Sequence, residues 1–274
     1  MIDVLIHSPF ALETGQGNSV TAERMQMVLS GADIEAQIET VNYQGANAKC
    51  LVALNAWRSA ATVAEFDRQH PDRQIIILVT GSDINHPEME DECSDTRITM
   101  KRADVLVTLH DADLNALPES LQQKSICIYP SVSLPAGVKC MASEGSRFEV
   151  VMAGNLRAVK NPELAVELAA RLPDDSPIFI TSYGEASAQL ASKMSRANAD
   201  YRHFNWYGKL DHTSLIEKMA SAQLLLNTST VEGGANAICE AVTMGLPVIA
   251  SDIRGNVGML GEEYPGLFPS EDAQ

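Results

Sequence analysis

Short runs of Val, Ile and Leu alternate with longer stretches of helical periodicity almost from end to end of the chain, and no other feature limits the possible folds as sharply. Runs such as Ile75-Ile76-Ile77-Leu78-Val79 are continuously apolar, the pattern of strands buried on both faces of a parallel sheet. Strands are expected in the first half at 2–7, 36–41, 50–54, 75–79, 104–109 and 125–129. In the second half they are expected at 148–153, 177–182, 203–207, 223–228, 247–251 and 266–268. Helices fall between them. Asn161-Pro162-Glu163 offers an N-cap, a first-turn proline and a first-turn acid, and the helix after the first strand carries Ala22, Met25, Val28 and Leu29. Two such series predict an α/β chain of two doubly wound domains, 1–140 and 141–274, changing over within 131–147, where small residues abound and no period holds. Open α/β sheets bind ligands beyond the C-terminal ends of their strands, so a cleft between the two domains is the expected site.

Composition narrows the partners. The formal charge of −16 would repel nucleic acid and an anionic membrane surface, and a phosphate-bearing ligand would need a local site of cations and backbone amides. No run approaches the roughly 20 apolar residues that cross a bilayer. Met1-Ile2-Asp3-Val4-Leu5-Ile6 reads as a first strand without the basic start of a signal peptide. The cysteines (Cys50, Cys93, Cys127, Cys140 and Cys239) are scattered and odd in number, so a reducing cytoplasm is the expected home.

The most informative segment runs from Asn227 to Ala250. A strand ends near Thr228, a loop carries Glu232, Gly233 and Gly234, and a helix is expected to begin near Gly234 with free N–H groups that suit an anion. Glu240 then lies roughly 9 Å along that helix. Two acids at this spacing are ordinarily a first-turn acid and a solvated helix-face residue. Here the neighbours Ala237, Ile238, Cys239, Ala241 and Val242 predict burial, and a buried carboxylate needs partners such as a ribose diol. A second strand ends at Gly154, followed by Arg157 and Lys160 on the loop into the next helix. Singly these are ordinary surface charges; facing a glycine loop at a strand end they suit a diphosphate.

The Glu232–Glu240 spacing with its glycines resembles the E-x7-E signature of family 4 glycosyltransferases, and Gly154-x-x-Arg157-x-x-Lys160 resembles the phosphate loop of the same family. Asn205-Trp206-Tyr207-Gly208-Lys209-Leu210 is similar to the family's strand-glycine turn. The resemblance implies a GT-B fold, two Rossmann-like domains facing across a cleft, and sugar transfer from a nucleotide sugar, usually a UDP-sugar. It implies that Arg157 and Lys160 bind the diphosphate and Glu240 the ribose. Gly208, Lys209 and Leu210 would meet the base, and Glu232 with Gly233, Gly234, Ala235 and Asn236 the donor sugar. No metal or other cofactor is expected. The chain would lack the closing helix that GT-B transferases generally carry after the last strand.

The first half offers Gly15-Gln16-Gly17-Asn18, which reads equally as a plain βα turn or as a backbone platform for phosphates. Its strand-end loops 54–60 and 79–83 present Arg58, Thr80 and Ser82. These loops, with 155–160, 232–236 and 258–266, resemble a narrower subfamily that includes the selenosugar synthases of selenoneine biosynthesis. That resemblance implies an acceptor side at Gly15, Gly17, Asn18, Arg58, Thr80 and Ser82, and a small, anionic acceptor, selenophosphate. Asn55 and Trp57 depart from it, standing where a His and a second Arg are expected, and they bear on acceptor identity. A GT-B sugar-nucleotide epimerase or phosphorylase, and a non-catalytic UDP-sugar binding module, are the competing readings. Asp111-Ala112-Asp113 looks like a D-x-D metal motif but is better read as a helix start with Asp111 as N-cap. Asn227-Thr228-Ser229 matches a glycosylation sequon at the expected site, without a secretory signal.

Overall fold

The continuous apolar runs become parallel strands. A computed structural model describes residues 1–12, 17–40, 42–86, 89–135, 137–140 and 146–270. The chain divides into two compact units, Met1–Tyr129 and Pro130–Gln274. The division falls ahead of the expected change at 140 because Leu134, Val138 and Cys140 pack into the second unit's core, where the Cys140 N–H bonds the Met244 carbonyl at 3.0 Å.

In the first unit β1 (Ile2–His7), β2 (Ala36–Glu39), β3 (Ala48–Leu54), β4 (Gln74–Leu78), β5 (Val105–Thr108) and β6 (Ser125–Cys127) form one parallel sheet in the order β2-β1-β3-β4-β5-β6. Strand residues alternate between faces, so Leu5, Leu51, Ile77 and Leu106 meet Val63 and Phe66 of α2 (Ala60–Gln69) and Met100 of α4 (Asp95–Arg102). Ile6, Val52, Leu54 and Leu78 meet Ala22, Met25 and Leu29 of α1 (Gly17–Gly31) on the other face. Val28 does not join that stripe; it lies about a hundred degrees around the helix from Leu29 and is exposed. Short helices α3 (Gly81–Ile84), α5 (Asp111–Ala116) and α6 (Glu119–Gln122) complete the unit. Asp111 is the first residue of α5 and not its cap. His110 caps it, its Nδ1 accepting the Asp113 N–H at 3.1 Å, because the ring reaches the first-turn amide from an extended backbone.

In the second unit β7 (Phe148–Ala153), β8 (Ile178–Tyr183), β9 (Phe204–Trp206), β10 (Leu224–Asn227), β11 (Val248–Ser251) and β12 (Leu267–Phe268) are parallel in the order β12-β11-β10-β7-β8-β9. Ala165 and Ala169 of α7 (Pro162–Arg171) and Met194 and Ala197 of α8 (Ala188–Asp200) cover Val150, Met152 and Ile180 on one face. Ile216 and Met219 of α9 (His212–Ser221), Ile238 and Ala241 of α10 (Asn236–Met244) and Met259 of α11 (Arg254–Leu260) cover Val151, Leu225 and Val248 on the other. Asn161 precedes Pro162 as expected, but in the left-handed conformation (φ 43°) and without a side-chain cap bond. The helix expected near Gly234 starts at Asn236, because the chain bends at Gly233 and Gly234 and Ala235 is extended.

Both units are doubly wound, and each strand order reverses once. The reversal lies between β1 and β3 in the first unit and between β7 and β10 in the second. Loops leaving adjacent strands part there to opposite faces and open a crevice, the usual ligand position in such sheets. No described helix is long and apolar enough to cross a membrane.

Candidate functional site

The crevice of the second unit is bounded by the loop after β7, which carries Arg157 and Lys160, and the loop after β10, which carries Glu232. These loops are tied together. The Thr228 hydroxyl donates to the carbonyls of Lys160 (2.8 Å) and Asn161 (2.9 Å), and the Thr230 N–H donates to the Val159 carbonyl at 2.8 Å. Across this seam Lys160 Nζ donates to Glu232 Oε1, which also accepts the Ser229 hydroxyl at 2.6 Å. The Lys160 and Glu232 side chains are mostly covered, so the pairing neutralises two charges that burial would otherwise penalise. Arg157, at the end of an extended stretch before the 3-10 turn Ala158–Lys160, is exposed.

Gly233, Gly234 and Ala235 lead from Glu232 into α10, whose cap residue Ala235 offers no side-chain bond to the first-turn amides; Asn236 is the first helical residue. The loop's position is enforced from behind by Gly255 in α11, where a Cβ would lie 2.3 Å from the Glu232 carbonyl oxygen and 2.7 Å from its carbon. Ser251 Oγ donates to the Ser229 carbonyl, and the buried Asn256 amide bonds the Ser251 carbonyl and hydroxyl, each at 3.0 Å. The sequon residues Asn227, Thr228 and Ser229 are all buried in this arrangement.

Glu240 is 4% exposed on α10, flanked by buried Ile238, Cys239 and Ala241, whereas Val242 turns outward. Its Oε1 accepts Nε2–H of His212, at the start of α9, at 2.8 Å. Gly208 makes a left-handed turn (φ 74°), and its carbonyl accepts the Gly184 N–H at 2.8 Å. Asn198 of α8 pins the strand before this turn by bonding both the N–H (2.7 Å) and the carbonyl (2.9 Å) of Trp206. Lys209 is exposed and 3.8 Å from Glu185, and Leu210 is half-buried. Gly184 can only be glycine: its φ is +153°, and a Cβ would sit 1.9 Å from the Gly154 carbonyl oxygen.

In the first unit the loops bounding the crevice bring Arg58 over the rings of Phe10 and Trp57, with its guanidinium carbon 5.1 and 4.6 Å from their centroids. Trp57 in turn stacks on His86 at 4.6 Å. Asn55, buried in a left-handed conformation (φ 71°), donates through Nδ2 to the hydroxyls of Thr80 (2.8 Å) and Ser82 (2.7 Å). The Asp83 carboxylate accepts the N–H groups of Trp57 (3.0 Å) and Thr80 (2.8 Å) and the Thr80 hydroxyl (3.0 Å); burial pushes its pKa up against these bonds. Thr80 and Ser82 are thus engaged within the loop. Gly17 and Asn18 open α1, and Gly15 lies outside the described residues. Asp113 is fully buried with His110 Nε2 3.2 Å away, and Asp111 accepts the Tyr129 hydroxyl at 3.3 Å. Among the described residues no three His, Cys, Asp or Glu side chains are grouped to hold a metal ion.

The sequence does not single out His212, Gly255 or Asn198, and it marks Ser229 only within the sequon. His212 and Gly255 meet Glu240 and Glu232 across elements distant in the chain, whereas Ser229 and Asn198 meet the nearby Glu232 and Trp206 without a recognisable spacing.

Residues 139–274 match the family described as Glycosyl transferases group 1. The structure is similar to Anabaena Alr3699/HepE in complex with UDP and glucose, with a TM-score of 0.67 at 15% identity, covering 98% of this chain and 86% of that one. It is also similar to the sucrose-phosphate synthase of Thermosynechococcus elongatus, with a TM-score of 0.75 at 13% identity, covering 100% of this chain and 87% of that one. At such identity these likenesses show the fold, and the activity comes from the matched domain. The second unit carries a group 1 glycosyl transferase domain, both units have the parallel α/β architecture of the GT-B fold, and the chain is a glycosyltransferase.

Proposed function

We propose that the enzyme transfers a hexose or N-acetylhexosamine from a UDP-sugar to selenophosphate. One observation carries the donor half: the β7 and β10 loops meet at the strand-order reversal through Lys160, Glu232 and Ser229, beside a helix start without a side-chain cap. Arg157, Lys160 and the first amides of α10 receive the diphosphate, as anions favour helix N-termini and guanidinium forks. Glu240 takes the ribose diol, the turn Gly208–Leu210 the base, and Glu232 with Gly233, Gly234, Ala235 and Asn236 the sugar. These groups stabilise the leaving diphosphate without a metal ion.

Arg58 supports an anionic acceptor. Its guanidinium rests on Phe10 and Trp57, so less rotamer freedom is lost when an oxyanion binds its edge. The amides of Gly17 and Asn18 and the Asn55-bound hydroxyls of Thr80 and Ser82 supply further polar groups on this side. Selenium attacks the anomeric carbon, the bond from that carbon to the diphosphate oxygen breaks, and UDP leaves. Water then removes the phosphoryl group from selenium as inorganic phosphate, leaving a 1-selenosugar. A selenium nucleophile of this kind needs little help from a general base.

A crossed panel of UDP-sugars against selenophosphate and neutral hydroxyl acceptors, read by mass spectrometry, tests the assignment. Product is expected only when selenophosphate is present, with the selenophosphate KM raised in Arg58→Ala. Glycosylation of hydroxyl acceptors with selenophosphate ignored would overturn the acceptor; UDP-sugar converted without any acceptor would point to an epimerase, and its consumption only with inorganic phosphate to a phosphorylase.

A further inference from the structure

We propose that His212 is a positioning residue for ribose recognition, which it serves by fixing the rotation of the Glu240 carboxylate. The inference rests on the reading of Glu240 as the ribose ligand and adds a residue to it. Glu240 is almost wholly buried, yet among the described residues its hydrogen-bond partner is His212, at Oε1. A carboxylate on a glutamate rotates about a soft terminal torsion, so one bond at Oε1 decides where the remaining lone pairs point. A cis-diol needs two of them in a fixed plane.

The imidazole is well placed to impose that plane. Asp211 caps α9 by accepting the Ser214 N–H (3.0 Å) and hydroxyl (2.6 Å), which fixes the first turn where His212 stands. Below it Ile216 and Met219 share one core with Ile238 and Ala241 of α10, so the helices carrying the two partners are held against each other. Upstream, the Gly208 turn is held by its bond to Gly184. The stretch from Gly208 to His212 therefore joins the turn proposed for the base directly to the carboxylate proposed for the ribose. His212 is also half exposed while Glu240 is not, so the ring lies at the mouth of the site and the acid beneath it.

The test compares the affinity of UDP with that of 2′-deoxy-UDP, by calorimetry, for wild type, His212→Ala, His212→Gln and Glu240→Gln. Circular dichroism and a melting curve check that each variant is folded. Losing a hydrogen bond to a charged group is expected to weaken UDP about tenfold in His212→Ala. Binding of 2′-deoxy-UDP should fall much less, so discrimination between the nucleotides shrinks. His212→Gln, whose amide N–H can replace Nε2–H, should restore most of it. Equal losses for both nucleotides in His212→Ala, or no loss, would overturn the proposal while leaving Glu240 as the ribose ligand if Glu240→Gln abolishes discrimination. Unchanged UDP affinity in Glu240→Gln would overturn both readings together.

Discussion

Replacing Gly255 by alanine should disable the donor loop although alanine is the better helix former. The added methyl would lie 2.3 Å from the Glu232 carbonyl oxygen, 2.7 Å from its carbon and 2.9 Å from its Cβ. Ordinary carbon contacts sit near 3.5–4.0 Å, so the Glu232 backbone or α11 must retreat by about 1 Å. Helix propensity favours the substitution by about 1 kcal/mol, whereas overpacking costs about 1–3 kcal/mol, so the net loss of stability is at most about 2 kcal/mol. The functional loss should be larger. Moving Glu232 by about 1 Å breaks its alignment with Lys160 and Ser229, and a misplacement of that size can cost about 100-fold in rate. The assay is kcat/KM for sugar transfer at fixed acceptor, with a melting curve on the same sample. A variant with wild-type kcat/KM would refute the claim that this close approach positions the loop.

Two further outcomes are expected. Burial holds the His7 imidazole at a pKa of about 4, against 6.5 in an unfolded chain, so it stays neutral when folded while the unfolded state takes up a proton below pH 6.5. Stability from this residue is full above pH 6.5 and is lost as the pH falls towards 4, by at most about 3 kcal/mol; denaturant unfolding of His7→Leu should show a flatter pH dependence than wild type, and equal slopes would refute the account. Activity should survive EDTA, and a loss restored by Mn²⁺ or Mg²⁺ would show that the diphosphate is neutralised by a metal after all.

Much of the fold was legible because strands such as Gln74–Leu78 are short, nearly continuous apolar runs alternating with helical stretches, the pattern of a doubly covered parallel sheet. The glycine loop and the spacing of Glu232 and Glu240 were legible for the same reason: local geometry is written in local sequence. What escaped depends on approach between distant segments. Gly255 looks like any small helix residue until the Glu232 carbonyl is beside it, and His212 looks like a surface histidine until α9 meets α10. Thr80 and Ser82 read as open hydroxyls, but Asn55 adopts a backbone conformation uncommon outside glycine and turns its amide onto both. Val28 is exposed although the stripe predicts it buried, because a residue at the edge of an apolar stripe can face either way.

If Lys160 receives the diphosphate as proposed, its pair with Glu232 changes how any binding measurement on this enzyme should be read. A nucleotide that takes the ammonium group does not meet a bare cation; it displaces a resident carboxylate. The affinity observed is the balance of an exchange and understates the strength of the phosphate contact. The displaced carboxylate is meanwhile released towards whatever hydroxyl arrives with the phosphate, and it can reclaim the lysine when the spent nucleotide departs. On that proposal, the charge balance between Lys160 and Glu232 would work against tight product retention, which suits a catalyst that must let go of its by-product at every turnover.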